Sequence, residues 1–198
     1  MKPRALIFTM ISLTGILFVA ANIFFFKQAV PKRDLPVLGQ ITDFQLTDSD
    51  EQVFDSKSLS GKVWVADFIF TTCASVCPIM SRHMASLHRS YLLEPDTAFV
   101  SISVNPENDT PDVLNEYAGR YSADTKHWHF LTGPRERIKD IAVNSFKVGS
   151  AEEPVFHSTY MILVDGSGAI RGYYEGTQKS DIQKLFKDIA VLLRRQNS

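Results

Sequence analysis

The sequence predicts an α/β domain: a mixed sheet flanked by helices, with an N-terminal β-hairpin, preceded by one transmembrane helix. Three observations carry this reading. Between Lys62 and Phe146, apolar strand-like runs alternate with stretches of helical period, the pattern of a parallel core joined by right-handed crossovers. Two apolar runs then flank Asp165-Gly-Ser-Gly168, which predicts a closing antiparallel hairpin. At the N-terminus, Ala5 to Phe26 runs for 22 residues without a charge, and about 20 apolar residues cross a bilayer.

The elements follow in order. Residues 1–4 form a short tail, 5–26 the anchor, 27–36 a linker with two prolines, and 37–198 the folded domain. Val19-Ala20-Ala21 offers a signal-cleavage site, but Ile23-Phe-Phe-Phe26 extends the apolar run past it, which favours an uncleaved anchor. Lys2 and Arg4 precede the run while Lys27, Lys32 and Arg33 follow it, so a count of basic residues does not set its orientation. If the tail stays inside, Lys32 onward is exported. Asp43–Thr47 and Gln52–Phe54 alternate around the turn Asp48-Ser-Asp50, a hairpin. Lys62–Phe70 is apolar at both alternating positions, a buried central strand. Val76–Tyr91 has helical spacing, Thr97–Val104 is a second buried strand, and Thr110-Pro-Asp112 reads as a helix start with Thr110 as N-cap. Trp128–Leu131 is a short strand. Gly133-Pro134 opens a helix with Ile138, Ile141, Ala142 and Phe146 on one face, and residues 146–156 are irregular. The hairpin Thr159–Val164 and Ala169–Tyr174 precedes a last amphipathic helix, Ser180–Leu193. This order is the plan of a thioredoxin-like fold.

With 21 basic and 22 acidic residues the net charge is −1, and no basic stripe points to nucleic acid. Chemistry concentrates at Cys73-Ala-Ser-Val-Cys77-Pro78, which holds the only two cysteines. Two thiols in one short motif of an exported domain make a redox pair or a soft-metal site rather than a disulfide framework. On one helical turn their Cα atoms lie roughly 6 Å apart, inside the disulfide range and equally suited to one cation, so the spacing chooses neither. A helix N-terminus favours the thiolate that both chemistries use. Asp67 lies on the strand leading into the motif; burial there predicts a raised pKa and a role as proton relay, with a local backbone-bonded carboxylate as the equal alternative.

Of the five histidines, His83 and His88 fall off the face of Cys77 and predict surface or packing roles. His127 and His129, two apart on a strand, point the same way and read as half-exposed strand residues rather than a metal pair. His157 precedes a strand whose leading loop faces the active-site turn in thioredoxin-like folds.

Phe70-Thr-Thr-Cys73-Ala-Ser-Val-Cys77-Pro78 resembles the signature of the Sco/SenC family of copper-binding, thioredoxin-like proteins. The resemblance continues through Ser103-Val-Asn-Pro-Glu-Asn-Asp-Thr-Pro111, Trp128-His-Phe-Leu-Thr-Gly133 and His157-Ser-Thr159, and runs from about Val37 to Leu193. It implies Cys73, Cys77 and His157 as ligands for copper, Cu(I) or Cu(II), a soft donor set. It also implies delivery of copper to, or maturation of, the dinuclear copper centre of cytochrome c oxidase subunit II. Another cuproprotein as recipient, and a thioredoxin-like reductant or copper donor as further partner, belong to the same expectation. So does a single-pass protein of the bacterial inner membrane with its soluble domain in the periplasm. Where many members carry an acid before the ligand histidine, this chain has Phe156, which removes a negative charge. Asn105, Pro106 and Asp109 read as loop and helix-start residues outside the site. The alternative function is a thiol-disulfide oxidoreductase using Cys73 and Cys77, to which Asp67 points; a thiol peroxidase is weaker, since the usual Pro and Thr before a peroxidatic cysteine are not both present.

Overall fold

The computed structural model describes residues 34–149 and 158–196. The chain divides into two units, Met1–Asp34 and Leu35–Ser198. The apolar run 5–26 and His157 lie outside the described residues. Among the described residues, no helix is long and apolar enough to cross a membrane.

The strands are β1 (Gly39–Gln40), β2 (Gln45–Asp48), β3 (Val53–Asp55), β4 (Val63–Ile69), β5 (Thr97–Ser103), β6 (Trp128–Thr132), β7 (Tyr160–Val164) and β8 (Ala169–Glu175). The helices are α1 (Cys77–Tyr91), α2 (Pro111–Arg120), α3 (Arg135–Asp140) and α4 (Lys179–Gln196). All eight strands join one sheet in the order β1-β8-β7-β4-β5-β6-β2-β3. β4, β5 and β6 are parallel, and the remaining pairs are antiparallel. This is the mixed, thioredoxin-like sheet that the element order predicts. The short β1 is an addition, formed by pairing Gly39 and Gln40 with Ile170 and Ala169.

Every residue of β4 is buried, because the strand is paired on both edges and covered on both faces. Its two residue sets part by alternation. Val63, Val65 and Ile69 enter a core with α1, α2 and α4, built from Met80, Met84, Leu87, Leu114, Tyr117, Ile182, Leu185 and Ile189. Trp64, Ala66 and Phe68 enter a second core with Phe44, Leu46, Phe54, Ile138, Ile141 and Phe146. Burial of each large aliphatic or aromatic side chain stabilises by about 1.5–3 kcal/mol. Parity assigns Asp67 to the face covered by α1, α2 and α4.

The N-terminal hairpin forms as its turn residues dictate: Asp48 Oδ1 accepts from the amides of Asp50 and Gln52, at 2.9 and 2.8 Å. At the other hairpin Asp165 Oδ1 accepts from Ser167 and Ala169 amides, and Gly168 takes φ 80°, a left-handed value that favours glycine.

One local expectation holds with a qualification and two are corrected. Thr110 holds the N-cap position of α2 with extended backbone, but its side chain makes no capping bond. The helix opened by Pro134 changes pitch: α3 ends at Asp140 and Ile141–Ser145 forms a π turn, so that Phe146 N–H donates to Ile141 O and Phe146 fills the second core. His127 and His129 diverge. His127 precedes β6, bonds Thr97 Oγ1 at 3.0 Å through Nε2 and packs near His88 and Phe99, whereas the His129 ring lies 4.8 Å from that of Phe54. His88 is a packing residue, 2% exposed, against Phe99, His127 and Trp128, and neither of its ring nitrogens has a hydrogen-bond partner.

Burial lowers the pKa of His88 and His127, and burial with the charge of Lys62 takes His129 down to about 4. The unfolded chain protonates its histidines near pH 6.5, before the folded chain does. Their contribution to stability is therefore complete above about pH 6.5 and is lost as the pH falls, for His129 towards about 4. We expect His129→Phe, which keeps a ring against Phe54, to flatten this acid limb by up to about 3 kcal/mol. Urea unfolding at pH 4.5 and pH 7 measures it; an unchanged pH dependence would refute the assignment.

Candidate dithiol and metal site

Leaving the sheet at Ile69, the chain has seven residues in which to turn before α1 begins at Cys77. Pro78 stands in the first turn of α1, where its fixed φ suits the helix and its missing N–H is no loss. Val76, the N-cap residue, contributes no side-chain bond. The Cys77 amide donates instead to Cys73 Sγ at 3.4 Å, so a sulfur occupies the acceptor role that a serine or aspartate commonly fills. The Ile79 and Met80 amides donate to Val76 O, and Cys73 N–H donates to Phe70 O at 3.2 Å. Cys73 therefore lies before α1 and not on its first turn; Cys77 is the helical residue.

Both cysteines are free thiols in different surroundings. Cys73 is half-buried, among exposed Thr72, Ala74 and Ser75. Burial alone would push its thiol up, but the amides of Cys77 and Ser75, with the Cys77 thiol and Ser75 hydroxyl, outweigh it and bring the pKa down to about 7. Cys77 is 3% exposed. Burial pushes its thiol up to about 12, with the neighbouring Cys73 and Asp67 adding in the same sense. One thiol is thus accessible and ionised near neutrality, and its partner is a buried reserve.

Asp67 is fully buried on β4. Its cross-strand partner Ser101 donates from Oγ to Oδ1 at 2.6 Å, and Ser101 Oγ accepts from the Trp128 indole at 3.0 Å. Oδ2 has no partner. Burial raises its pKa to about 7, against the opposing Ser101 bond. A buried acid with one unpaired oxygen can accept and return a proton near pH 7.

The described residues supply two sulfur donors, and no group of three or more His, Cys, Asp or Glu among them is arranged to hold a metal. His157 lies outside the described residues, but its flank is placed. Thr159 O accepts from Gly176 N–H at 2.7 Å, and Gly176 O accepts from His83 Nδ1 on α1 at 2.8 Å. A Cβ at Gly176 would meet Thr159 O at 2.8 Å and Met80 Cγ at 3.0 Å, so glycine is required for this approach. The start of β7 is therefore tied to the first turns of α1. His83 makes this tie, a positioning role that its place in the sequence does not disclose.

Asp109, by its sequence context a helix-start residue outside the site, is drawn into it by the fold. It is fully buried, and its carboxylate accepts from Thr71 N–H at 3.1 Å, Thr71 Oγ1 at 2.6 Å and Ser103 Oγ at 2.5 Å. It bonds the dithiol turn two residues before Cys73. Its partner in the turn, Thr71, is 38 residues away, and a lone aspartate before Thr-Pro carries no signal beyond a helix start.

The SCO1/SenC family profile matches residues 38–194. The SCO1 protein homolog of Bacillus subtilis (strain 168) is 33% identical over 160 residues, spanning 78% of this chain and 83% of that protein. Among solved structures, BsSco is described as a member of the Sco family of cytochrome c oxidase assembly proteins, with a disulfide switch. It superposes with a TM-score of 0.70 at 32% identity, over 81% of this chain and 98% of its own. Arabidopsis thaliana ScoI, solved with copper bound, gives a TM-score of 0.65 at 26% identity, over 79% and 99%.

The asymmetry of the thiols predicts selective chemistry. Iodoacetamide should alkylate Cys73 with a rate that rises through about pH 7, while Cys77 stays unmodified up to pH 9 in the folded protein. Peptide mass spectrometry reads both sites; equal labelling at pH 7.5 would refute the asymmetry.

Proposed function

This chain belongs to the SCO1/SenC family, and from that membership we propose that it binds copper through Cys73, Cys77 and His157 and serves cytochrome c oxidase assembly. The observation that carries the reading is the strand-to-helix turn that brings two sulfurs together and holds one of them, Cys73, as a thiolate near neutral pH. Soft thiolates joined by an imidazole suit Cu(I). Copper here is cargo: ligation by Cys77 requires loss of its proton, so uptake releases protons and strengthens as the pH rises. The copper-bound plant ScoI and the assembly role stated for BsSco support extending copper and oxidase assembly to this chain.

The finer reading is delivery to, or maturation of, the dinuclear copper centre of subunit II by a membrane-tethered protein. In it, residues 5–26 form a single-pass anchor in the bacterial inner membrane and the domain from Leu35 onward stands in the periplasm. The uncharged run of 22 residues supports the tether.

A second reading, thiol-disulfide oxidoreductase, is favoured by one specific observation: Asp67 buried on the Cys77 side of the sheet with Oδ2 unpaired. In that chemistry the Cys73 thiolate attacks one sulfur of a partner disulfide, breaking its S–S bond, expelling the other sulfur as a thiolate and forming a mixed disulfide. Cys77 then gives its proton to Asp67 and attacks Cys73 Sγ, the partner's second sulfur leaves as a thiolate, and two electrons pass to the partner. The disulfide switch of BsSco is consistent with such a couple.

Reduced protein should bind about one Cu(I) per chain, and His157→Ala should weaken binding by upward of about tenfold while a Cys73–Cys77 disulfide still forms on oxidation. Competition against a chromophoric Cu(I) chelator decides it; unaltered affinity removes His157 from the ligand set. Asp67→Asn should slow thiol-disulfide exchange at pH 7 more than it changes Cu(I) affinity, and equal exchange rates would sink the relay. Full-length protein should sediment with membranes, and a chain starting at Asp34 should not; a full-length protein found in the soluble fraction would exclude the anchor.

A further inference from the structure

The turn that carries Cys73 has little of its own to hold it. Between Phe70 and Val76 the bonds other than those of Thr71 are short-range: Cys73 N–H to Phe70 O, the Cys73 Sγ contacts with Ser75 Oγ and the Cys77 amide, and Val76 O accepting from the first turn of α1. A fixed point remote in the chain is Asp109. It stands on the connection between β5 and α2, 38 residues from Thr71 in the chain, and grips Thr71 through both the backbone amide and the hydroxyl. Its Oδ2 is shared with Ser103 Oγ, the last residue of β5, and Ser103 Oγ in turn accepts from the Asn105 amide. Ser103 is also the register partner of Ile69, the last residue of β4. The carboxylate thus references the turn to the ends of both central strands.

The connection that bears Asp109 is itself fastened. Asp109 and Asn108 amides donate to Asn105 O, at 2.9 and 3.0 Å. Glu107 is held by the Arg135 guanidinium at the start of α3 through two bonds, one of them Nε to Oε1 at 2.7 Å. A carboxylate buried among uncharged donors costs solvation that an apolar filler would not. Its chemical advantage is that it only accepts, so two oxygens can satisfy three donors; an amide in its place would turn an N–H towards one of them. Position rather than packing is what this arrangement specifies.

We propose that Asp109 is a positioning residue for the dithiol: through Thr71 it fixes where Cys73 Sγ sits against the N-terminus of α1, and so sets both the affinity for Cu(I) and the reduction potential of the Cys73–Cys77 pair. The copper half rests on the reading of the site as a copper site; the potential half does not. Displacing Thr71 lets the Cys73 sulfur leave the Cys77 amide, which removes the stabilisation of the thiolate in both the metal-bound and the reduced form.

Thr71 is half-buried on a surface turn, so its variants do not open the core. Thr71→Val keeps the shape and the amide bond but deletes the hydroxyl; Thr71→Ser restores the hydroxyl; Asp109→Asn tests the carboxylate directly. Cu(I) affinity by competition with bathocuproine disulfonate, and the thiol-disulfide equilibrium against glutathione buffers, are measured beside the melting temperature. Thr71→Val and Asp109→Asn should each weaken Cu(I) binding about tenfold and move the glutathione equilibrium constant by a similar factor, while Thr71→Ser stays within about twofold of the parent chain on both readouts. Thr71→Val with parental affinity and potential overturns the proposal, as does failure of Thr71→Ser to restore them. Should Asp109→Asn not fold, the Thr71 pair decides alone. A parent chain that binds no Cu(I) refutes the copper reading, and the clamp is then judged on the potential.

Discussion

Strand β4 has no exposed residue and is paired with β5 along its length and with β7 at Trp64–Ala66, and the site follows from that constraint. A strand buried on both faces must place every side chain in one of two cores, and parity sends Asp67 to the core that α1 covers. The same strand has to end beneath the start of α1, because the turn is only seven residues long. The buried acid, the reserve thiol Cys77 and the exposed thiol Cys73 are consequences of one strand, one turn and one helix N-terminus.

Within that frame the two cysteines are made unequal by opposed effects of similar size. Cys73 loses some water but gains amide donors, which favour the thiolate; Cys77 loses water and gains negative neighbours, which favour the thiol. This inequality suits both the copper reading and the thiol-disulfide reading. A soft cation finds one ligand already deprotonated, and a partner disulfide finds one nucleophile while the second waits. Asp67 contributes in the opposite direction to the buried histidines. Its proton is held in the folded state up to about pH 7 and given up near 3.8 by the unfolded chain, so its stabilising effect is full in acid and lost as the pH rises through 7. His129 stabilises above about pH 6.5 and loses that effect towards pH 4. The pH range in which the domain is firm is thus a compromise between a buried carboxyl and packed imidazoles.

Much of this was legible in the residues. The element order, the central buried strand, the two hairpins with their aspartate-led turns, and the dithiol at a strand-to-helix junction are all local patterns, and local patterns are what periodicity and turn chemistry report. Thr110 occupies its N-cap position but lacks the capping bond. The π turn at Ile141–Ser145 was not visible, because it is driven by the need to seat Phe146 between Phe44, Trp64 and Phe68, which the helical period does not know about. His127 and His129 share a parity but not an environment, since His127 falls before the strand begins.

The sequence by itself determined the chemistry on offer: two thiols at one spacing, an acid on a buried strand, and motifs that resemble a family signature implying His157 as a third ligand. Only the tertiary structure decided which thiol ionises, because that depends on which sulfur meets the amides at the head of α1 and which is walled off from water. It alone exposed Asp109 as the anchor of the turn and His83 as the tie between α1 and the start of β7. Hydrogen bonds between residues 38 or 93 positions apart leave no periodic trace in a chain; they exist once the sheet has brought the strand ends together.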